Sequence, residues 1–126
     1  FLVAASLEGV LAQRLVRTIC QDCRDSYEPN ESILNQLDLS AHELGDKHFY
    51  TGRGCDICGQ TGLRGRRGLF ELLSVSDPIR EMITDRAPTV ALKQKAIELG
   101  MSTLREDGLR NIYEGVTTIE EVLKYT

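Results

Sequence analysis

TICQDC (residues 18–23) and its echo GCDICGQTG (residues 54–62) hold all four cysteines of the chain. Each stretch carries one Cys-x-x-Cys pair, a turn short enough for two sulfurs to converge on one ion from a single knuckle. Two such knuckles supply the four soft ligands that zinc takes in a tetrahedron and leave no open position, as in a structural site. Gly59 and Gly62 follow the second pair, and glycine there suits a tight turn whose backbone N–H groups point back at sulfur. Cys20, Cys23, Cys55 and Cys58 are therefore the candidate ligands of a structural Zn2+. The rival chemistries fit less well. Disulfides need an oxidising compartment, and nothing in the sequence points to secretion. A thioredoxin-type redox pair uses one exposed Cys-x-x-Cys at a helix start. Common iron–sulfur spacings bunch three cysteines together.

Residues 24–54, between the knuckles, outnumber the roughly 15 to 20 usual in such double-knuckle sites, so they must form structure of their own. Closing a flexible loop of that size costs about 3 kcal/mol, whereas structural zinc contributes about 10 to 16 kcal/mol at neutral pH, so the ion wins. His42 and His48 lie inside the clipped segment. With the tetrahedron already complete, they are expected on the surface or partly packed rather than on the metal.

On either side of the knuckles the chain reads as strands. QRLVRTI (13–19) is β-branched and ends at the first knuckle; RGLFELLSV (67–75) alternates, with Leu69, Glu71, Leu73 and Val75 on one face and Phe70 and Leu72 on the other. Paired antiparallel, they would make the zinc module an insertion at the end of their hairpin. Upstream, LVAASLEGVLA (2–12) has apolar positions suited to a buried helix, weakened by Gly9. Inside the excursion, PNESILNQL (29–37) places Ile33, Leu34 and Leu37 on one helical face, and SAHEL (40–44) adds a short turn. Downstream, Asp77-Pro78 opens one helix and Thr89 caps a second, with a Leu92, Ala96 and Leu99 stripe and a stop at Gly100. Thr103 with Glu106 and Thr118 with Glu121 make two capping boxes, the first of these helices ending at Gly115. The fold class expected is α+β: a short antiparallel strand pair carrying a tetracysteine zinc insertion, followed by a small helical lobe.

The 126 residues suffice for one core or for two small lobes sharing one, and 41% hydrophobic with 27% charged residues is ordinary for a globular chain. The formal charge of −4 argues against general nucleic-acid binding, which depends on neutralising phosphates. Arg64, Arg66 and Arg67 form a local basic cluster, read as a solvated turn beside the strand. Arg14 and Arg17 read as strand-edge arginines pairing with acidic neighbours. No apolar run approaches the about 20 residues of a membrane span. FLVAASL lacks a basic flank and a cleavage site, so it reads as the cut edge of a longer protein rather than a signal peptide. No phosphate-binding Gly-x-x-x-x-Gly-Lys-Ser/Thr and no His-Glu-x-x-His occurs, and the glycines of GQTGLRGRRG lack a strand–glycine–helix context. No catalytic residue is assigned.

GVLAQRLVRTICQDC, GCDICGQTGLRGRRGLFELLSVSD and LREDGLRNIYEGVTTIEEVLKYT resemble, in that order and across the whole chain, the C-terminal third of secretion traffic ATPases. These are the type II secretion ATPases and the related type IV pilus assembly ATPases; the opening FLVAASLEGVLAQRLVR lies slightly nearer the secretion branch. The resemblance implies a RecA-like ATPase core, with residues 1–18 its terminal remnant and 66–75 a returning core strand. It makes 19–65 the tetracysteine zinc-binding subdomain and 76–126 a C-terminal helical lobe. It further implies a cytoplasmic, ATP- and Mg2+-dependent homo-hexamer, peripheral on the inner membrane. Such a motor drives pilus or pseudopilus assembly through an inner-membrane platform protein and other secretion subunits, with no nucleic acid. The ATP-binding motifs of the family match nothing in these residues, so the fragment alone is expected to be inactive. The competing expectation is a freestanding zinc module that binds nucleic acid or a protein; CDICGQTG is also similar to the cysteine-rich repeats of DnaJ-type chaperones, which use four copies rather than two.

Overall fold

The computed structural model describes residues 2–126, and at residue 41 the backbone alone. In chain order the elements are α1 (Leu2–Ser6), β1 (Gly9–Ile19), β2 (Arg24–Tyr27), α2 (Glu31–Gln36), α3 (Ala41–Leu44) and β3 (Phe49–Gly52). They continue with β4 (Leu63–Ser74), α4 (Asp77–Thr84), α5 (Thr89–Glu98), α6 (Leu104–Tyr113) and α7 (Ile119–Tyr125). The chain is α+β, as expected. β1 pairs with β4 and β2 with β3. The first pair is antiparallel: Val75 N–H donates to the Glu8 carbonyl at 3.0 Å, and Cys20 N–H to the Gly62 carbonyl at 3.0 Å. The cysteine-bearing excursion thus leaves and re-enters at one end of a two-stranded ladder.

The residues fall into two compact units, one comprising the chain up to Gln13 with Phe70–Leu104, the other Arg14–Leu69 with Arg105–Thr126. In the first, Val75, Ile79 and Ala96 form a buried cluster under Leu7, Leu73, Ile83, Leu92 and Met101. The Arg80 guanidinium donates to the carbonyls of Ala4, Leu7 and Val75, tying α1 and the end of β4 to α4. In the second unit, Val16, Ile19, Phe49, Leu69, Ile112, Ile119 and Val122 are buried. There α6 and α7 approach so closely that a Cβ on Gly108 would stand 2.6 Å from a Val122 methyl.

β4 carries the expected two faces, with Leu69 buried while Phe70 and Leu72 stay exposed. Several boundaries and caps differ from those expected. The helix expected over 2–12 stops at Ser6, because from Gly9 onward the backbone pairs with β4 instead. The basic Arg64–Arg67 stretch is strand, not turn, since β4 already starts at Leu63. The cap of α4 is Ser76, with Asp77 and Pro78 inside the first turn, and the cap of α5 is Pro88 rather than Thr89. Leu99 is half exposed: it lies past the last helical residue and so falls off the stripe that buries Ala96. Gly100 does end α5, its N–H donating to Ile97 O while Met101 N–H donates to Ala96 O. Residues 24–27 and 49–52 form an antiparallel pair, Arg24 opposite Gly52 and Tyr27 opposite Phe49, where only helices had been expected. Among the described residues, no helix is long and apolar enough to cross a membrane.

Candidate metal centre

Cys20 follows the last residue of β1, Cys23 precedes β2, and Cys55 and Cys58 stand in the turn between β3 and β4. The two strand pairs therefore bring the two knuckles face to face. All four sulfurs lie within 4.8 Å of one another. Cys20 and Cys55 Sγ are 3.8 Å apart, Cys23 and Cys58 Sγ 3.9 Å, and Cys55 and Cys58 Sγ 3.7 Å. A regular tetrahedron with metal–sulfur bonds of about 2.3 Å has edges of about 3.8 Å. The donor set fits a single four-coordinate ion. It does not fit disulfides, whose sulfurs lie about 2.05 Å apart; all four cysteines are free thiols.

The second knuckle is wound around its own sulfur. Cys55 N–H and Gly62 N–H donate to Cys58 Sγ at 3.3 and 3.2 Å, and Gln60 N–H closes the turn on the Cys55 carbonyl at 2.8 Å. Gly62 has φ 77°, and it passes Gly52 so closely that a Cβ on Gly52 would fall within the Gly62 peptide. Both positions therefore need hydrogen as their side chain. The glycines after Cys58 had signalled a tight turn; the demand at Gly52 carried no such signal, because it arises where β3 and the exit from the second knuckle meet.

Electrostatics divides the thiols. Burial would raise the Cys58 thiol, but the N–H groups of Cys55 and Gly62 and the neighbouring thiols at Cys55 and Cys23 outweigh it and bring its pKa down to about 6. Burial pushes Cys23 up to about 11 against the opposing Gly54 N–H, with Cys55, Cys58 and Cys20 adding to the rise. Burial also raises Cys20. Cys58 thus offers a thiolate near neutral pH, while loading an ion onto Cys20 and Cys23 would release their protons.

His42 on α3 and His48 ahead of β3 are both exposed, and neither belongs to the sulfur cluster. Arg17 is engaged by an acidic neighbour, as expected for a strand-edge arginine. Its Nε and Nη2 donate to Glu121 Oε1 at 2.9 and 2.6 Å, and its backbone N–H donates to Oε2 at 2.9 Å. Arg67 Nη1 reaches Asn111 Oδ1 at 3.4 Å. Beside the knuckles, Phe49 packs on Tyr27 and Tyr113, with ring centroids 6.2 and 6.1 Å apart, and Lys47 Nζ lies 4.7 Å from the Tyr113 ring centre. α6 is thereby packed against the excursion within the same unit.

The sequence pattern of the family described as Type II/IV secretion system protein matches residues 1–124. The chain is 44% identical over 126 residues to the Type IV pilus assembly ATPase PilB of Thermus thermophilus. It is 40% identical over 126 residues to the Type II secretion system ATPase E of Vibrio cholerae. The Type II secretion system protein E of Pseudomonas aeruginosa is also 40% identical over 126 residues. Each match takes in all of this chain but only 14%, 24% and 24% of the respective relative, so the chain spans at most about a quarter of their length. Relatives from the pilus and secretion branches match alike, and the slight lean toward secretion finds no support in these identities. A family pattern covering nearly every residue, with relatives of both branches matched along the whole of this chain, places the chain in the type II/IV secretion system protein family.

Proposed function

We propose that this chain forms the metal-braced C-terminal part of a traffic ATPase, in which Cys20, Cys23, Cys55 and Cys58 hold a structural Zn2+. The observation that carries this is the convergence of the four sulfurs within 4.8 Å of one another, with three of their separations at 3.7 to 3.9 Å, where β1 and β4 meet the excursion. Bound there, zinc supplies a four-thiolate cross-link with no open position, hence bracing rather than catalysis. The backbone donors at Cys58 orient that ligand, and the Gly52–Gly62 crossing sets the second knuckle against β3.

In this reading, the full-length parent hydrolyses ATP with Mg2+ as a cytoplasmic hexamer at the inner membrane and drives pilus or pseudopilus assembly. Residues 1–18 and 66–75 belong to the edge of its RecA-like core, 19–65 form the zinc arm, and 76–126 the helical lobe. Because the arm is anchored on two core strands, nucleotide-driven tilting of the core would swing it as a braced lever toward the membrane platform protein. Support comes from family membership and from the placement of both knuckles at one end of the β1–β4 ladder. The test is Cys55→Ser in the full-length motor, with metal content, ATP turnover, platform binding and secretion or piliation measured together. Expected are loss of zinc, retained hexamers with ATP turnover, and lost platform binding. If ATP turnover vanished in folded hexamers while platform binding persisted, the arm role would be wrong.

A further inference from the structure

The two knuckles are held in place by different means. The second is closed by its own turn: Gly62, Cys55 and Gln60 N–H groups satisfy it locally. The first is held from the far end of the sequence. Ile19 N–H, one residue before Cys20, donates to Val116 O at 2.8 Å. Thr117 Oγ1 donates to Arg17 O at 2.7 Å, 100 positions away in sequence. Arg17 N–H and its guanidinium both donate to the Glu121 carboxylate, at 2.6 to 2.9 Å. Beyond the knuckle, Arg24 Nη1 reaches Gly115 O at 3.4 Å.

These partners are placed with little freedom. Thr117 is fully buried and Glu121 only 3% exposed. Thr118 caps α7 by accepting from Glu121 N–H, which fixes the first helical turn and with it the direction of the carboxylate. Backbone groups of β1 that face away from β4 would otherwise be solvated and free to fray. Resting on the reading of the four sulfurs as a metal centre, we propose that residues 115–121 splint its first knuckle, with Thr117 and Glu121 the positioning residues. The splint holds Cys20 and Cys23 where the second knuckle can share an ion with them. Ion release requires one knuckle to swing away; beyond the Cys20–Gly62 and Arg53–Cys23 backbone bonds within the excursion, only the first is also tied to the 115–121 segment by the bonds above. The C-terminal helix thereby controls how long the ion stays.

The test compares the zinc-loaded full chain with Glu121→Ala, Glu121→Gln and the near-isosteric Thr117→Val; Ile79→Val, in the other compact unit, is the control. Zinc release to a chromogenic chelator should accelerate about tenfold for Glu121→Ala, as expected for losing a charge-assisted hydrogen-bond set, and less for Glu121→Gln and Thr117→Val. Ile79→Val should release at the wild-type rate even where its melting temperature falls as far. Unchanged release in all three splint variants, or equal acceleration in the control, would overturn the splint. If reconstituted wild-type chain binds no ion, the metal reading itself fails. Amide exchange at residues 17–24 then still decides: faster exchange there in the splint variants, with α4 and α5 unchanged, supports the splint, and unchanged exchange refutes it.

Discussion

The two compact units are stabilised in contrasting ways. The unit containing α4 and α5 is an ordinary small core, with Val75, Ile79 and Ala96 buried under partly covered neighbours. The unit containing the knuckles uses apolar burial too, but adds four converging thiols, a glycine–glycine backbone crossing, and a buried carboxylate clasped by Arg17. The difference teaches where specificity resides. A small apolar cluster tolerates changes of shape at moderate cost, whereas groups that must meet at fixed distances fail when one is removed.

Metal removal should separate the units most sharply. With about 10 to 16 kcal/mol of apparent binding energy at stake, exhaustive chelation should unfold residues 20–58 first, while α4 and α5 keep their amide protection. Hydrogen exchange resolved by peptide, alongside circular dichroism, measures it; unchanged spectra from verified zinc-loaded protein after chelation would dissolve the contrast. Next in size is a matched pair of substitutions. Ile79→Ala should cost about 2 to 5 kcal/mol through the cavity it leaves in the first unit, with zinc content unchanged. Gly52→Ala adds only a methyl, yet should cost about 3 kcal/mol by driving it into the Gly62 peptide, and should lower zinc occupancy as well. Denaturant melts with metal analysis distinguish the two; full zinc occupancy in Gly52→Ala would show that the crossing does not shape the knuckle.

Acid should also act unequally. Burial alone would raise the Glu121 carboxyl, but Arg17's side chain and backbone N–H outweigh it and hold it below the usual carboxylate range. The folded chain therefore binds fewer protons there than the unfolded one, so this contribution is complete above the ordinary glutamate value of about 4.3 and is lost as pH falls through the lowered folded value. The stability gap between wild type and Glu121→Gln should be constant near neutrality and close on acidification below about pH 4. Because Arg17 is more than half exposed, added salt should narrow the gap as well. A gap independent of pH would assign Glu121's role to packing alone.

What the sequence disclosed follows the same division. Features set by neighbours in sequence were legible: the knuckle spacing, the alternation from Leu69 to Val75, and the stops at Gly100 and Gly115. The strands at 24–27 and 49–52 were not, because four residues are too few to display a period and their hydrogen bonds are made to each other across the excursion. The extent of β1 was hidden for a related reason: Gly9–Ala12 is apolar in a way that suits helix or strand, and pairing with β4 decides it. At the sulfur cluster itself, which four cysteines converge was readable while the supports were not. Gly52 and Glu121 owe their roles to partners far along the chain, and Glu121 looked like half of a capping box until its carboxylate was found on Arg17 rather than turned back to its own helix.

The smallest expected effect tests whether the helix-dominated unit has strain left to relieve. α4 ends with Arg86 at φ 56°, its N–H donating to Ile83 O and Ala87 N–H donating to Met82 O, the same closing pattern that Gly100 gives α5. A side chain in that left-handed conformation costs about 1 to 2 kcal/mol, while glycine there gives back about 0.5 to 1 kcal/mol in unfolded-state entropy. Arg86→Gly should therefore stabilise the first unit by somewhat under about 1 kcal/mol, seen as higher protection in α4 with zinc release unaltered. Asp38, at φ 55° after α2, is the matching position in the cysteine-bearing unit. Its short polar side chain tolerates this conformation better than arginine does, so Asp38→Gly should gain less than Arg86→Gly. Equal gains at the two positions would mean that backbone relief, rather than side-chain type, sets the effect, and that in this one respect the units respond alike.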